Sequence, residues 1–286
     1  MGAGAELGLA IVLAIGSAIA VNLGYLLEQD AVSAMPPLEI RRPLHAARLL
    51  LRNPGWAKGF GTETAGFLLF VVAVALAPLA LVQSIAAGGI AVLAFLVSWR
   101  SGIRLAARER VGVVLAVIGL VCLGISLAGG HAEGERNDAA VVAWLVGSAL
   151  VAAVVFAAGR SRRHAAPLFG VAAGVLFAAG DVATKVAVSD GIRLAFVPAL
   201  VLGYGLGTTT LQLGFQRGGA LATAGLATLL TNALPIVAAT VVLAEPLPTG
   251  ILRIVRIVAF AAVVAGGVLL ARPGHAGAQT GAEGIR

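Results

Sequence analysis

Stretches of about twenty residues without a charge follow one another along almost the whole chain, and no other feature constrains the fold as much. They cover 7–27, 64–99, 111–130, 139–159, 164–180, 194–216, 218–244 and 257–271. A helix rises about 1.5 Å per residue and the hydrocarbon core is about 30 Å thick, so about 20 apolar residues cross it. The 36 residues of 64–99 would make a helix of roughly 54 Å. That run is therefore expected to fold back near Pro78 into spans at 57–77 and 80–99. The run after His164 is expected to continue past Asp181 to Ala187, and the last run gains length from Gly250 onward. The count is nine, which predicts an all-α polytopic membrane protein with nine transmembrane helices. With 59% hydrophobic and 12% charged residues, against about 25% charged in ordinary soluble domains, a soluble globular enzyme is excluded.

The net charge of +7 could suit a nucleic-acid binder, but the Lys and Arg residues lie between apolar runs, with no aromatic-lined basic face. Their physical meaning is orientation in the bilayer and attraction to anionic head groups. Placing the N-terminus outside and the C-terminus in the cytoplasm puts 15 of the 20 Lys and Arg residues on the inner side, with Glu133, Glu135 and Asp138 outside. Arg253 and Arg256 fall on the outer side, where only snorkelling accommodates them. The segment before Leu7 holds no basic residue and the first run is longer than a signal-peptide core, so it reads as a membrane span. The single cysteine, Cys122, excludes an intramolecular disulfide.

The one long connection, 28–55, contains Pro36, Pro37 and Pro43 and then a basic amphipathic stretch, so 38–53 is expected to lie on the cytoplasmic leaflet. Asn53-Pro54 supplies an N-cap and a first-turn proline for the second span. The tail, 273–286, is Gly/Ala-rich without periodicity and is expected to be disordered.

Leu81-Val-Gln-Ser-Ile-Ala-Ala87 lies over Leu229-Leu-Thr-Asn-Ala-Leu-Pro235, and Gly119-Leu-Val-Cys-Leu123 over Gly266-Gly-Val-Leu-Leu270. The halves are thus expected to be two four-span repeats, 1–130 and 164–272, with a linking span in 131–163. An odd number of helices between them inverts the second copy, an arrangement common among secondary transporters. Gly112-x-x-Leu115-x-x-x-Gly119, Leu243-Ala-Glu245-Pro-Leu-Pro and Val264-Ala-Gly-Gly-Val-Leu-Leu270 resemble paired motifs of the drug/metabolite transporter superfamily, the EamA-like proteins. Asn53-Pro54-x-Trp56, Gly61-Thr-Glu63 and Ala77-Pro78-Leu-Ala-Leu-Val82 are similar to the NIPA-type magnesium-transporter branch. Where that branch usually reads Thr-Pro-Leu-Gly next, this chain has Gln83-Ser84-Ile-Ala.

An ionisable residue at membrane depth is costly and suggests function. Asp181 and Lys185 stand four apart on the sixth span, on the face of Gly174 and Ala178; they form either a substrate or proton site or a self-neutralising pair. Glu63 is either a coupling carboxylate or a solvated first-turn acid, and Glu245 reads as an interfacial cap. Gln83 and Ser84 match Thr231 and Asn232, one polar dipeptide from each half, the latter just before Pro235. These pairs either line a midplane site or bond back to their own helices. Asn22 and Gln212 read as interhelical ties. Gly170-x-x-x-Gly174, Gly203-x-x-x-Gly207 and Gly214-x-x-x-Gly218 read as packing faces, with homodimerisation the alternative. No metal-ligand spacing, P-loop or G-x-S-x-G elbow occurs, so no cofactor and no enzymatic activity are expected.

These features point to a secondary transporter of a small molecule or ion, embedded in the cytoplasmic membrane and working by alternating access. With Asp181 and Glu63 as the only carboxylates at depth, and Lys185 opposing a cation, an organic solute is favoured over Mg²⁺. A non-transporting membrane subunit or lipid-pathway scaffold is the reading from another class.

Overall fold

The computed structural model describes residues 3–38, 43–76, 82, 85–86, 88–102, 104–126, 138–160, 165–188, 194–242 and 250–271. Among them are ten α-helices and one short 3₁₀ turn. They are α1 Ala3–Ser33, α2 Pro43–Arg52, α3 Pro54–Leu76, α4 Gly89–Ser101, α5 Ala107–Ser126, α6 Asp138–Arg160, α7 Ala166–Val188, α8 Val197–Phe215, α9 Ala220–Val241 and α10 Ile251–Ala271. Four stretches are long and apolar enough to cross a membrane by length and composition: Glu6–Ser33, Asp138–Arg160, Ala166–Thr184 and Ile251–Leu270. The fold is all-helical, and the protein is a multi-pass membrane protein. The Pro78 fold-back, Glu245 and the tail lie outside the described residues.

One boundary corrects the sequence reading. The first span was expected to end at Leu27, with a connection beginning at residue 28. The helix instead continues through Glu28 and Asp30 to Ser33. A charge ends a span only when it must reach water, and Glu28 is fully buried against neighbouring helices. The next boundary is as expected: Asn53 Oδ1 accepts the Trp56 backbone N–H at 3.0 Å, capping α3 ahead of Pro54. The amphipathic segment is the ten-residue α2, with Ala46 buried and Arg48, Leu51 and Arg52 exposed.

In lipid, helices associate through close van der Waals packing, which small residues allow. The glycine faces do this within the chain. A Cβ on Gly174 would stand 2.8 Å from the Ala227 carbonyl oxygen, and one on Gly203 would stand 2.9 Å from the Gly180 backbone. Gly112 and Gly119 on α5 meet Gly266 and Ala259 on α10 as closely. The main packing pairs are α1 with α3, α5 with α10, and α7 with α6, α8 and α9. Helix α7 is the central element, with Phe169, Ala172, Ala173 and Ala183 buried. Helix α6 is peripheral and turns Val142, Val146, Leu150 and Val154 outward, as a lipid-facing helix does.

The helix ends are tied. Arg100 Nε donates to Asp30 Oδ2 at 3.2 Å, joining the ends of α4 and α1. Arg217 Nη1 donates to the Gly159 carbonyl at 3.2 Å, joining the ends of α8 and α6, and its guanidinium lies 4.6 Å from the Phe169 ring centre. Burial and the neighbouring charge of Arg160 lower the Arg217 pKa. Arg256, which snorkelling alone was expected to accommodate, has a specific role. Its Nε donates to Ser126 Oγ and its Nη2 to the Ser126 carbonyl, each at 3.2 Å, so a cation caps the last turn of α5.

Candidate functional site

Two copies of one short pattern build the site. Gly24-x-x-x-Glu28 on α1 and Gly59-x-x-x-Glu63 on α3 cross reciprocally, each glycine facing the other helix's glutamate turn. A Cβ on Gly24 would lie 2.8 Å from the Glu63 backbone nitrogen; one on Gly59 would lie 2.8 Å from that of Glu28. Gly66 meets the Val21 nitrogen in the same way. The backbones therefore nearly touch, and the two carboxyls come together because the crossing leaves no room to separate them.

The Glu63 side chain faces those of Glu28 and Tyr25 at this crossing. Gln212 Nε2, from α8, donates to Glu28 Oε2. Glu28 and Gln212 are both fully buried, and Glu63 is partly exposed as a residue. Glu28 Oε1 and Gln212 Oε1 are buried without a hydrogen-bond partner among the described residues. Such an oxygen costs about 1–3 kcal/mol. The cluster is thus an arrangement of oxygen acceptors short of positive charge or donors.

One turn further along α8, Gln216 ties down the segment after α1. Its Oε1 accepts the Leu38 N–H at 2.9 Å, and its Nε2 donates to the Pro36 carbonyl at 3.0 Å and the Val32 carbonyl at 3.3 Å. Beneath this segment lies a cavity of about 200 Å³, lined by Ser33, Met35, Pro37, Leu213 and Arg217 among others.

The residues singled out in the sequence fall in different places. Glu63 belongs to the carboxyl pair. Asp181, half-buried on α7, accepts a hydrogen bond from the Tyr204 hydroxyl of α8, whose ring packs on Gly180. The side chain of Lys185, together with Gln83 and Ser84, lies outside the described residues. On α9, Thr231 Oγ1 donates to the Ala227 carbonyl at 2.9 Å and Asn232 Nδ2 to the Thr228 carbonyl at 2.7 Å. Both donors thus turn back on their own helix, one of the two arrangements expected for them. Gln212 is the interhelical tie expected, whereas Asn22 Nδ2 instead donates to the Ala18 carbonyl of its own helix at 2.8 Å. Glu28, Tyr25 and Tyr204 were missed; the repeated Gly-x-x-x-Glu spacing was the signal that could have found the first. No group of three or more His, Cys, Asp or Glu side chains able to hold a metal occurs among the described residues.

Apolar helices enclosing buried carboxyls define an integral, multi-pass membrane protein with ionisable groups in its interior. No family model matches the chain, and no solved structure does. Among curated proteins it is 27% identical over 268 residues, covering 84% of this chain and 74% of the relative, to one from Arabidopsis thaliana described as "Probable magnesium transporter NIPA9". The likeness is to a transporter and not to an enzyme.

Proposed function

We propose that the protein is a secondary transporter that carries Mg²⁺ across the cytoplasmic membrane, by alternating access between two inverted four-helix halves joined by α6. In this reading nine helices, α1 and α3 to α10, span the bilayer, with the N-terminus outside and the C-terminus in the cytoplasm. The observation that carries the proposal is the fully buried Glu28 facing Glu63. It removes the objection drawn from the sequence, which counted Glu63 and Asp181 as the only carboxylates at depth. Mg²⁺ releases its waters reluctantly and is commonly held by one or two carboxylates with several waters retained. Two carboxyls beside the unpartnered Gln212 Oε1 suit such an ion. A pair of carboxylates is also a modest donor set, and a transported ion has to leave again.

The likeness to the Arabidopsis protein supports the same reading. The inverted halves are supported by the packing: α1 lies on α3 as α7 lies on α8, and α5 pairs with α10 across the halves. Orientation rests on the distribution of Lys and Arg. A drug/metabolite-type substrate, an organic cation, is favoured by one observation, the Asp181 carboxyl held by the Tyr204 hydroxyl.

The test is uptake into proteoliposomes containing a Mg²⁺-sensitive dye, run beside a panel of organic cations with and without a pH gradient. Saturable Mg²⁺ uptake, lost in Glu28→Gln and Glu63→Gln variants that insert and melt normally, is the expected result. Mg²⁺ flux unchanged in both variants would overturn the site. Organic-cation flux that depends on Asp181 would favour the second reading, and the absence of any flux would favour a scaffold.

A further inference from the structure

Gln212 explains more as a ligand than as a tie. Its side chain is fully buried near the end of α8, yet only its nitrogen is used, in the bond to Glu28 Oε2. The Oε1 of the same amide has no donor, and neither does Oε1 of the glutamate it binds. An amide kept only to join α8 to α1 would leave an oxygen buried at a cost of about 1–3 kcal/mol. A cation bound between α1 and α8 would satisfy both oxygens together.

We infer that Gln212 is the third protein ligand of the Mg²⁺ site, and that its single amide oxygen sets the preference for Mg²⁺ over Ca²⁺; this rests on the cation-transport reading above. Glu28, Glu63 and Gln212 come from α1, α3 and α8, so each contributes an oxygen from a different direction. The remaining positions of an octahedral ion are left to water. Two carboxylates and one amide cancel a divalent charge. A monovalent ion would leave one negative charge uncompensated inside the membrane, which is costly. Helix α8 belongs to the second half, whereas α1 and α3 belong to the first. The ion therefore bridges the two units whose relative motion alternating access requires.

The experiment measures Mg²⁺ and Ca²⁺ binding by calorimetry on the full-length protein in nanodiscs, for the wild type and for Gln212→Met, Gln212→Glu and Gln216→Met. Gln212→Met is expected to weaken Mg²⁺ binding by tenfold or more. Gln212→Glu is expected to restore binding but to move the preference toward Ca²⁺, because a carboxylate can bind through both oxygens and Ca²⁺ accepts more ligands. Gln216→Met removes the neighbouring tie on the same helix and should leave the Mg²⁺-to-Ca²⁺ preference unchanged. A merely structural Gln212 would lower the melting temperature without moving that preference. Mg²⁺ affinity untouched by Gln212→Met, together with a preference untouched by Gln212→Glu, would overturn the assignment of Gln212 alone. A wild-type protein that binds no Mg²⁺ would overturn the transport reading with it.

Discussion

Replacing Gly24 by alanine adds one methyl group at the place where α1 and α3 cross. The new Cβ would stand 2.8 Å from the Glu63 nitrogen, 2.8 Å from the Gly59 carbonyl oxygen and 2.9 Å from the Glu63 Cβ. Favourable contacts between heavy atoms lie at about 3.5–4.0 Å, so the helices must part by about 0.7 Å or more. Two of the three opposing atoms are backbone and have no rotamer to move into. Overpacking of this kind costs about 1–3 kcal/mol, and the backbone opposition places Gly24→Ala at about 2–3 kcal/mol. Gly61, between Gly59 and Glu63 in sequence but on the opposite, exposed face of α3, has nothing within 4 Å of its Cβ position. Gly61→Ala should instead stabilise α3 by up to about 1 kcal/mol through helix propensity. Thermal unfolding of the purified protein in detergent reads the sign difference directly, and Mg²⁺ uptake should show a raised KM in Gly24→Ala, because parting the helices draws Glu28 from Glu63. A Gly24→Ala protein that melts at or above the wild-type temperature with unchanged uptake would refute the close crossing.

Other outcomes follow from the same contacts. Arg256→Met should lower stability by about 1–2 kcal/mol, since it leaves the last turn of α5 and the buried Ser126 without their cation, with Arg256→Lys intermediate in unfolding assays. In a Cys122→Ala background, a cysteine at Ala139 should react with an impermeant thiol reagent added outside and one at Ser101 should not; the reverse pattern would invert the topology. If Asp181 and Lys185 only neutralise each other, the double change Asp181→Asn, Lys185→Met should be milder than either single change, because an unpaired charge within a bundle costs about 3–5 kcal/mol. Expression and uptake measured on all three variants separate that case from a substrate site, in which the double change restores nothing.

Most helix positions were legible in the sequence because apolar run length is set by bilayer thickness, and α1 outran its apolar stretch where packing buries Glu28. The linking helix, expected at 139–159, is Asp138–Arg160, and the Asn53-Pro54 cap forms as its residue types dictate. The site was only half legible. Glu63 stood inside an apolar segment and drew notice, whereas Glu28 bordered one and was read as its end. Hydropathy treats every charge at the edge of a run as solvated, and only packing shows which side of the helix faces protein. Gln212 was recognised as a tie, but its unpartnered oxygen has no signature in sequence. The polar pair on α9 was ambiguous for another reason: a Thr or Asn hydrogen can always find its own helix, and the choice depends on what stands opposite.

Helix α1 has 31 residues, about 46 Å of helix, and Glu28 lies just past the apolar run that ends at Leu27. With the orientation proposed above, its carboxyl sits in the cytoplasmic part of the span, about 7 Å along the helix from its end at Ser33. Gln212, three residues from the end of α8, stands at a similar level. An electric field acts on an ion in proportion to the share of the potential it traverses, at about 2.3 kcal/mol per charge per 100 mV. A divalent ion reaching this shallow position from outside crosses most of that drop, while one leaving to the cytoplasm crosses little. Loading from outside should therefore respond steeply to voltage, and release to the cytoplasm should be almost indifferent to it.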